Sequence, residues 1–329
     1  MSIGTPVDPV PPLVRAALAA AADAPGYPPT AGTPALRTAI SDWVIRACDA
    51  RPGFGVLPTI GSKELVAWLP TLLGIGPGDE VAIPDVCYPT YEAGIKISGA
   101  TVVRGDAGDL GDRPVRLIWI NSPGNPDGRV LTPAQLRGTV AWARERGAVV
   151  ASDECYLPLG WERQPTSVLA ACDGDYTGVL AVHSLSKRSN LAGYRAGFVA
   201  GDPALIESLL ALRKHIGMIV PAPVQAAMIA ALGDESHVAE QRDGYAARRR
   251  ILWDAVEAAG FRVEGSQAGL YLWCTRDGDG WTTVDWLAER GIIAAPGDFY
   301  GPAGHAYVRL ALTATDAQIA DVAARLKAG

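Results

Sequence analysis

Between residues 53 and 233 the chain alternates short apolar runs with stretches in which apolar positions return at helical spacing. The runs at 80–84, 116–122, 148–154, 178–186 and 196–201 are mostly continuous and rich in Val, Ile and Leu. Continuous runs of that kind are expected of strands covered on both faces. Helix starts are readable between them. Thr132 and Pro133, with Gln135 following, supply a cap, a proline at the first helical position and a capping-box partner. Asp202 and Pro203 repeat the cap-plus-proline signal. Strand and helix in alternation predict an α/β domain around a mostly parallel sheet.

From about residue 234 the pattern changes. A long arginine-rich helix is predicted to run through Arg250 to Gly260, followed by strand-like segments at 269–275 and 305–312 and a terminal helix. These suggest a smaller α+β domain completed by the N-terminal residues. The expected division is 30–235 for the large domain, with 1–29 and 236–329 forming the small one.

Composition narrows the function more than the fold. With 329 residues, 49% of them hydrophobic, the chain can bury a substantial core. A formal net charge of -6 argues against a sequence-independent grip on nucleic acid. No apolar run approaches the ~20 residues of a membrane span, and the N-terminus lacks the basic start of a secretory signal. Five scattered cysteines without C-x-x-C spacing read as reduced thiols in a cytoplasmic protein. The four histidines form no H-E-x-x-H and have no cysteine partner nearby in sequence, so no catalytic metal is expected. The only lysines are Lys63, Lys96, Lys187, Lys214 and Lys327, which shortens any search for a catalytic amine.

Three segments carry chemistry. S-L-S-K-R-S-N-L-A-G-Y-R-A-G at 184–197 sets Lys187 just past an apolar strand, flanked by hydroxyls, with Arg195 eight positions on. A lysine there can reach a ligand at the sheet edge, and its pKa shifts readily on burial. Ser184 and Arg195 offer a hydroxyl and a fork of donors suited to a phosphate. S-D-E-C-Y at 152–156 closes another strand, and a carboxylate at such an end can meet a cationic ring nitrogen. N-S-P-G-N-P-D-G at 121–128 follows a third strand; read alone it is a proline- and glycine-rich turn. Two apparent signals fail. The glycines at 74–78 follow a helical stretch and precede a strand, the wrong order for a dinucleotide fingerprint, and D-G-D-G at 277–280 lacks the later ligands of a calcium loop.

In order and spacing the three segments resemble the class I/II branch of the pyridoxal-phosphate-dependent transferases of fold type I: N-P-x-G at 125–128, D-x-x-Y at 153–156 and S-x-S-K…G-x-R-x-G at 184–197. The resemblance implies a mostly parallel seven-stranded sheet between helices, a smaller α+β domain, and pyridoxal 5'-phosphate as cofactor. It implies that Lys187 holds the cofactor covalently and moves the substrate's α-proton. Asp153 would keep the pyridine nitrogen protonated, Asn125 and Tyr156 would bond the phenolic oxygen, and Ser184 and Arg195 would bind the phosphate. Ser62 and Lys63 open a helix whose N–H groups would add to that anion site. Tyr88 resembles the family's ring-stacking aromatic. Arg309, in Y-V-R-L, resembles the arginine that grips the α-carboxylate. Gly4 lies in a segment expected to close over the site, and Tyr27 matches a residue that reaches a neighbouring subunit's phosphate. A homodimer is therefore expected, with amino-acid and 2-oxo-acid substrates.

Longer strings, including G-T-P-V-D-P-V-P at 4–11, G-S-K-E-L-V-A-W at 61–68 and A-P-G-D-F-Y at 295–300, resemble actinobacterial-type N-succinyldiaminopimelate aminotransferases. That resemblance implies exchange of an amino group between N-succinyl-LL-2,6-diaminopimelate and 2-oxoglutarate, in lysine and peptidoglycan-precursor synthesis. Such a substrate needs a second cation in the pocket, and Lys63, Lys214 and Arg188 are the candidates. The chain departs from that pattern in having almost nothing before Gly4, which bears on how fully the site is covered and the dimer clasped. The alternatives are another amino-acid aminotransferase, a C–S lyase of the same fold, or a non-catalytic regulator that binds the cofactor. The last would carry a DNA-binding module, for which the sequence given has no room.

Overall fold

A computed structural model describes residues 1–327. Seven strands make the large sheet: β1 (Gly55–Ile60), β2 (Glu80–Ile83), β3 (Thr101–Arg104), β4 (Val115–Asn121), β5 (Val149–Asp153), β6 (Val179–Ser184) and β7 (Ala196–Gly201). Their order is β1-β7-β6-β5-β4-β2-β3. Only β7 is reversed: it pairs antiparallel with β1 and β6, and every other neighbouring pair runs parallel.

Alternate side chains on each strand enter two different cores, as the two-residue repeat of a strand requires. Ile118 and Ile120 of β4 face one side, and Leu117 and Trp119 the other. The first side is covered by α1 (Pro12–Ala20), α2 (Pro34–Cys48), and helices introduced below; the second begins with α3 (Gly61–Leu72) and α4 (Thr90–Ser98). Next in the chain come α5 (Pro133–Glu145) and the single turns α6 (Val168–Ala171) and α7 (Leu185–Arg188), then α8 (Pro203–Arg213) and α9 (Ala222–Gly233). Helices α5 and α9 join the first side through Leu136, Val140, Ala227 and Met228; α8 joins the second through Ile206 and Leu209. The predicted caps are present. Thr132 and Gln135 form a reciprocal capping box on α5, and Asp202 accepts from the N–H groups of Ala204 and Leu205.

Two strands had no signature in the apolar pattern. β1 contains Pro58, which lacks an N–H, but β1 lies at the sheet edge where that donor is not required. β3 is the opposite edge and has four residues.

The smaller body begins with α10 (Ser236–Ala258), then β8 (Arg262–Glu264), β9 (Tyr271–Thr275), α11 (Gly280–Glu289), β10 (Ala295–Pro296), β11 (Tyr307–Ala311) and α12 (Asp316–Lys327). Its antiparallel sheet has the order β10-β11-β9-β8. Asp279, in the calcium-like string, is the cap of α11 and accepts from the Thr282 N–H. The N-terminal residues divide differently from the expected boundary at 29. Met1 joins the small sheet by accepting from the Ala311 N–H. Helix α1 instead packs on the large body, because Val10, Val14 and Leu18, spaced four apart, form one apolar stripe against its core.

Helix α3, whose start borders the site, is tied to α8 by Arg213. That guanidinium has no exposed surface and meets Glu64 with both Nη atoms, at 2.7 and 2.8 Å. Removing one partner of a buried pair strands the other charge. Glu64→Ala is expected to lower the unfolding free energy by about 3–5 kcal/mol in urea titrations; a loss below ~1 kcal/mol would refute the pairing.

Candidate active site

Strands β4, β5 and β6 are adjacent and parallel, so their carboxyl ends open side by side. Asn121, Asp153 and Ser184 end them. The Ser184 hydroxyl accepts from the Ser186 N–H at 3.1 Å and starts the single turn α7, which carries Lys187. Lys187 lines a cavity of about 370 Å³, and its ζ-nitrogen donates to the Gly4 carbonyl. Burial disfavours the ammonium and brings its pKa down to about 8, with Arg309 and Arg195 acting in the same direction and Cys155 opposing.

Asp153 is buried at the cavity floor, and burial raises its pKa. Two donors oppose that rise: the Cys155 N–H at 3.2 Å and the Tyr91 phenol at 2.9 Å. Tyr91 is fixed by stacking on Trp119, with centroids 4.9 Å apart, and stands edge-on to Tyr88 on the cavity wall. Asn121 shapes the turn after β4, donating to the Pro123 and Asp153 carbonyls and accepting from the Asn125 N–H.

One wall is built to receive an anion. The N-terminus of α3 presents Ser62 and Lys63, and Arg195, Ser184 and Ser186 line the cavity with them. Helix and strand touch here because Gly197 has no side chain: a Cβ on it would lie 2.9 Å from the Ser62 nitrogen. Gly61, at φ 69°, is required too, since its Cβ would sit 2.4 Å from Nη2 of Arg195. N–H groups at a helix start, hydroxyls and a guanidinium are a donor set suited to a phosphate.

The opposite wall comes from the small body. Arg309 is buried, with its guanidinium 3.9 Å from the Tyr271 ring centroid and 4.7 Å from that of Tyr300. It donates to Asn125 Oδ1 at 2.8 Å and to the Ser2 carbonyl at 2.7 Å. Gly4 passes so close to Tyr271 that a Cβ would lie 2.1 Å from the phenol oxygen.

The cavity thus gathers Gly4, Ser62, Lys63, Tyr88, Asn125, Asp153, Tyr156, Ser184, Lys187, Arg195 and Arg309, all of them expected from the sequence. Tyr156 bonds Tyr271, hydroxyl to hydroxyl, at 3.1 Å. Tyr27 lies outside it, 98% exposed. Two candidates for the second cation are overturned. Arg188 is buried elsewhere, against Trp43 and Glu235, and Lys214 is exposed at the end of α8 without lining the cavity. Lys63 is left, its ζ-nitrogen 5.9 Å from the Tyr88 centroid. Sequence reasoning did not single out Tyr91, Cys155, Ser186 or Tyr271. Tyr91 lies in the first turn of α4, three positions after Tyr88.

His183 does have a cysteine neighbour in space: its Nε2 is 3.7 Å from Cys48 Sγ and 3.7 Å from Glu154 Oε2. The partners are remote in sequence, which hid them. Burial lifts Glu154 to about 7 and, with the Arg188 cation, takes His183 down to about 3. The cluster lines no part of the cavity.

Comparison with known proteins decides the family. The aminotransferase class I and II profile matches residues 1–326. The chain is a class I/II aminotransferase. It is 57% identical, over 99% of its length and 92% of the relative's, to a 4-dedimethylamino-4-oxo-anhydrotetracycline transaminase of Streptomyces rimosus. It is 56% identical to a probable aminotransferase of Mycobacterium tuberculosis, over 99% of this chain and 79% of that one. Among solved structures, a probable N-succinyldiaminopimelate aminotransferase of Thermus thermophilus superposes with a TM-score of 0.91 at 26% identity, covering 100% of this chain and 94% of that one. The family's cofactor, pyridoxal phosphate, is the aminotransferase's own. The anion cradle, the buried carboxylate and the low-pKa lysine suit its phosphate, ring nitrogen and aldehyde in turn.

Because burial lowers the Lys187 pKa, the amine is neutral at a lower pH than an ordinary lysine. In the cofactor-free protein, acylation of Lys187 followed by peptide mass spectrometry should rise with a midpoint near 8. A midpoint at the ordinary lysine value of ~10.4 would contradict this environment.

Proposed function

We propose that the aminotransferase moves an amino group from N-succinyl-LL-2,6-diaminopimelate, a donor bearing a further carboxylate, to 2-oxoglutarate, forming the 6-oxo acid and glutamate. One observation carries this reading: a lysine brought to about 8 faces a cavity whose far wall holds a buried, aromatic-sandwiched arginine. The amine can act on the α-carbon of a molecule whose α-carboxylate the arginine fixes.

Pyridoxal phosphate, when bound, supplies the electron sink that stabilises the pair left by the breaking Cα–H bond. The residues do the rest. Ser62, Ser184, Arg195 and the α3 N-terminus would hold the phosphate, with Tyr88 against the ring. Asp153, whose carboxylate accepts from the Tyr91 phenol and the Cys155 N–H, would hold a proton at the ring nitrogen. Asn125 and Tyr156 would bond the phenolic oxygen. Arg309 would grip the α-carboxylate bidentately, and its stacked setting leaves it little rotamer freedom to lose. The Lys187 ζ-nitrogen would take the α-proton and return it two bonds away, at the cofactor's C4′, which requires the neutral amine. Lys63 would meet the distal carboxylate. The working form in this proposal is a homodimer, in which Tyr27, exposed at 98%, would reach the second copy of the chain.

A second reading rests on the 57% identity to the Streptomyces rimosus transaminase, whose name specifies a tetracycline-type ketone. In that case Lys63 would have no second carboxylate to bind.

The purified protein should show a visible cofactor band that disappears on adding glutamate and is missing in Lys187→Ala. A protein without that band, after incubation with pyridoxal phosphate, would defeat the proposal. Lys63→Ala should raise KM for N-succinyl-LL-2,6-diaminopimelate by roughly 10- to 100-fold, the loss of one charge-assisted hydrogen bond. An unchanged KM, with turnover of a cyclic ketone, would move the assignment to the second reading.

A further inference from the structure

The three residues after Lys187 all reach the same short stretch of chain. Arg188 donates to Glu235 Oε1 at 3.1 Å. Ser189 has no exposed surface, and its hydroxyl lies 2.8 Å from Nε2 of His237. Asn190, in the left-handed region at φ 57°, donates to Gln241 Oε1 at 2.6 Å. His237 is held in turn by Asp234, whose Oδ2 lies 2.6 Å from its Nδ1 and accepts from its N–H at 3.1 Å. Ser236 donates to the other oxygen of Asp234 at 2.6 Å.

Serine, histidine and aspartate in hydrogen-bonded sequence would serve a hydrolase if the serine could meet a substrate. Ser189 is fully covered and lines no cavity, so that chemistry has no access. The relay is a brace instead. With Nδ1 donating to Asp234, Nε2 is left as acceptor for the Ser189 hydroxyl, which fixes both rotamers. Of the three links this is the most enclosed. The Glu235 side chain is 55% exposed, so the Arg188 pair on that side is open to solvent screening.

The partner stretch is the start of α10, a helix continuous over 23 residues. Farther along, the same helix contributes Leu252, Ala255 and Val256 to the small-body core, beside Leu310 of β11, the strand that bears Arg309. A rigid helix thus joins the backbone beside the amine to the wall that would grip the substrate. We propose that His237 is a positioning residue: through Ser189 it sets where the Lys187 ζ-nitrogen stands relative to the small body. It touches neither substrate nor cofactor. The inference rests on Lys187 being the reacting amine.

The test uses the holoenzyme and the variants Ser189→Ala, His237→Ala, His237→Gln and Glu235→Gln. The readouts are the pH midpoint at which the visible cofactor band titrates, the kcat and KM for glutamate, and the thermal midpoint. Ser189→Ala and His237→Ala should move the band's midpoint by about half a pH unit or more, a change in the environment of the lysine nitrogen. They should lower kcat by about tenfold with KM within about twofold, the signature of a misplaced group rather than lost binding. His237→Gln, whose amide oxygen can still accept from Ser189, should recover most of the shift, and Glu235→Gln should leave it unmoved. Should His237→Ala fail to fold, Ser189→Ala removes a single oxygen and gives the same readout. A lowered thermal midpoint with the band's midpoint and kcat unchanged in Ser189→Ala overturns the proposal. Absence of any band in the wild-type protein defeats the functional reading instead, so the two failures are distinct.

Discussion

The site depends on how closely the start of α3 can approach β7. Gly197 lets the Ser62 backbone lie against the strand, and Gly61 lets the Arg195 guanidinium pass beneath the first turn. Arg195 itself takes a left-handed backbone, φ 55°, a conformation that costs a non-glycine residue about 1 kcal/mol or more. A methyl group at Gly197 would part helix and strand, and one at Gly61 would displace the Arg195 guanidinium; in either case the donors would no longer converge. The seven-stranded sheet supplies the crevice, but this contact turns one side of the crevice into an anion site.

The charges in the crevice follow from burial. Lys63, Lys187, Arg195 and Arg309 share one cavity with a single carboxylate, Asp153, on the floor. Burial weighs most on the Lys187 ammonium, and the Arg309 and Arg195 cations add to it, so this lysine gives up its proton more readily than an ordinary one. Asp153 has the opposite task and receives the Tyr91 phenol and a backbone N–H. Burial alone would push both groups toward their neutral forms. The donors at Asp153 temper that push on the carboxylate, whereas at Lys187 the neighbouring guanidiniums add to it.

Much of this was legible in the chain because its carriers are local. Lys187, Asp153 and Asn125 each follow an apolar strand, and a strand end is a short-range signal. The caps at Thr132 and Asp202 were equally local. What escaped was set by distance in sequence. Tyr91 reaches Asp153 across 62 positions, His183 meets Cys48 across 135, and Tyr156 meets Tyr271 across 115. Neither periodicity nor composition marks such pairs. Edge strand β1 escaped for another reason: Pro58 reads as a breaker until its place at the sheet edge is known. Helix α1 was assigned by its position in the chain, whereas its apolar stripe determines what it packs against.

The N-terminal segment is anchored by its main chain. Arg309 holds the Ser2 carbonyl, Thr313 the Ile3 carbonyl, Lys187 the Gly4 carbonyl, and Ala311 the Met1 carbonyl. None of these bonds reads a side chain. Ser2, Ile3 and Thr5 line the cavity all the same, and Ile3 is 72% exposed. Their side chains can therefore be exchanged in the course of evolution without loosening the anchorage, whereas Gly4 cannot. The architecture thus separates two demands on one short stretch: its backbone keeps the segment in place, and its side chains at the cavity stay open to change.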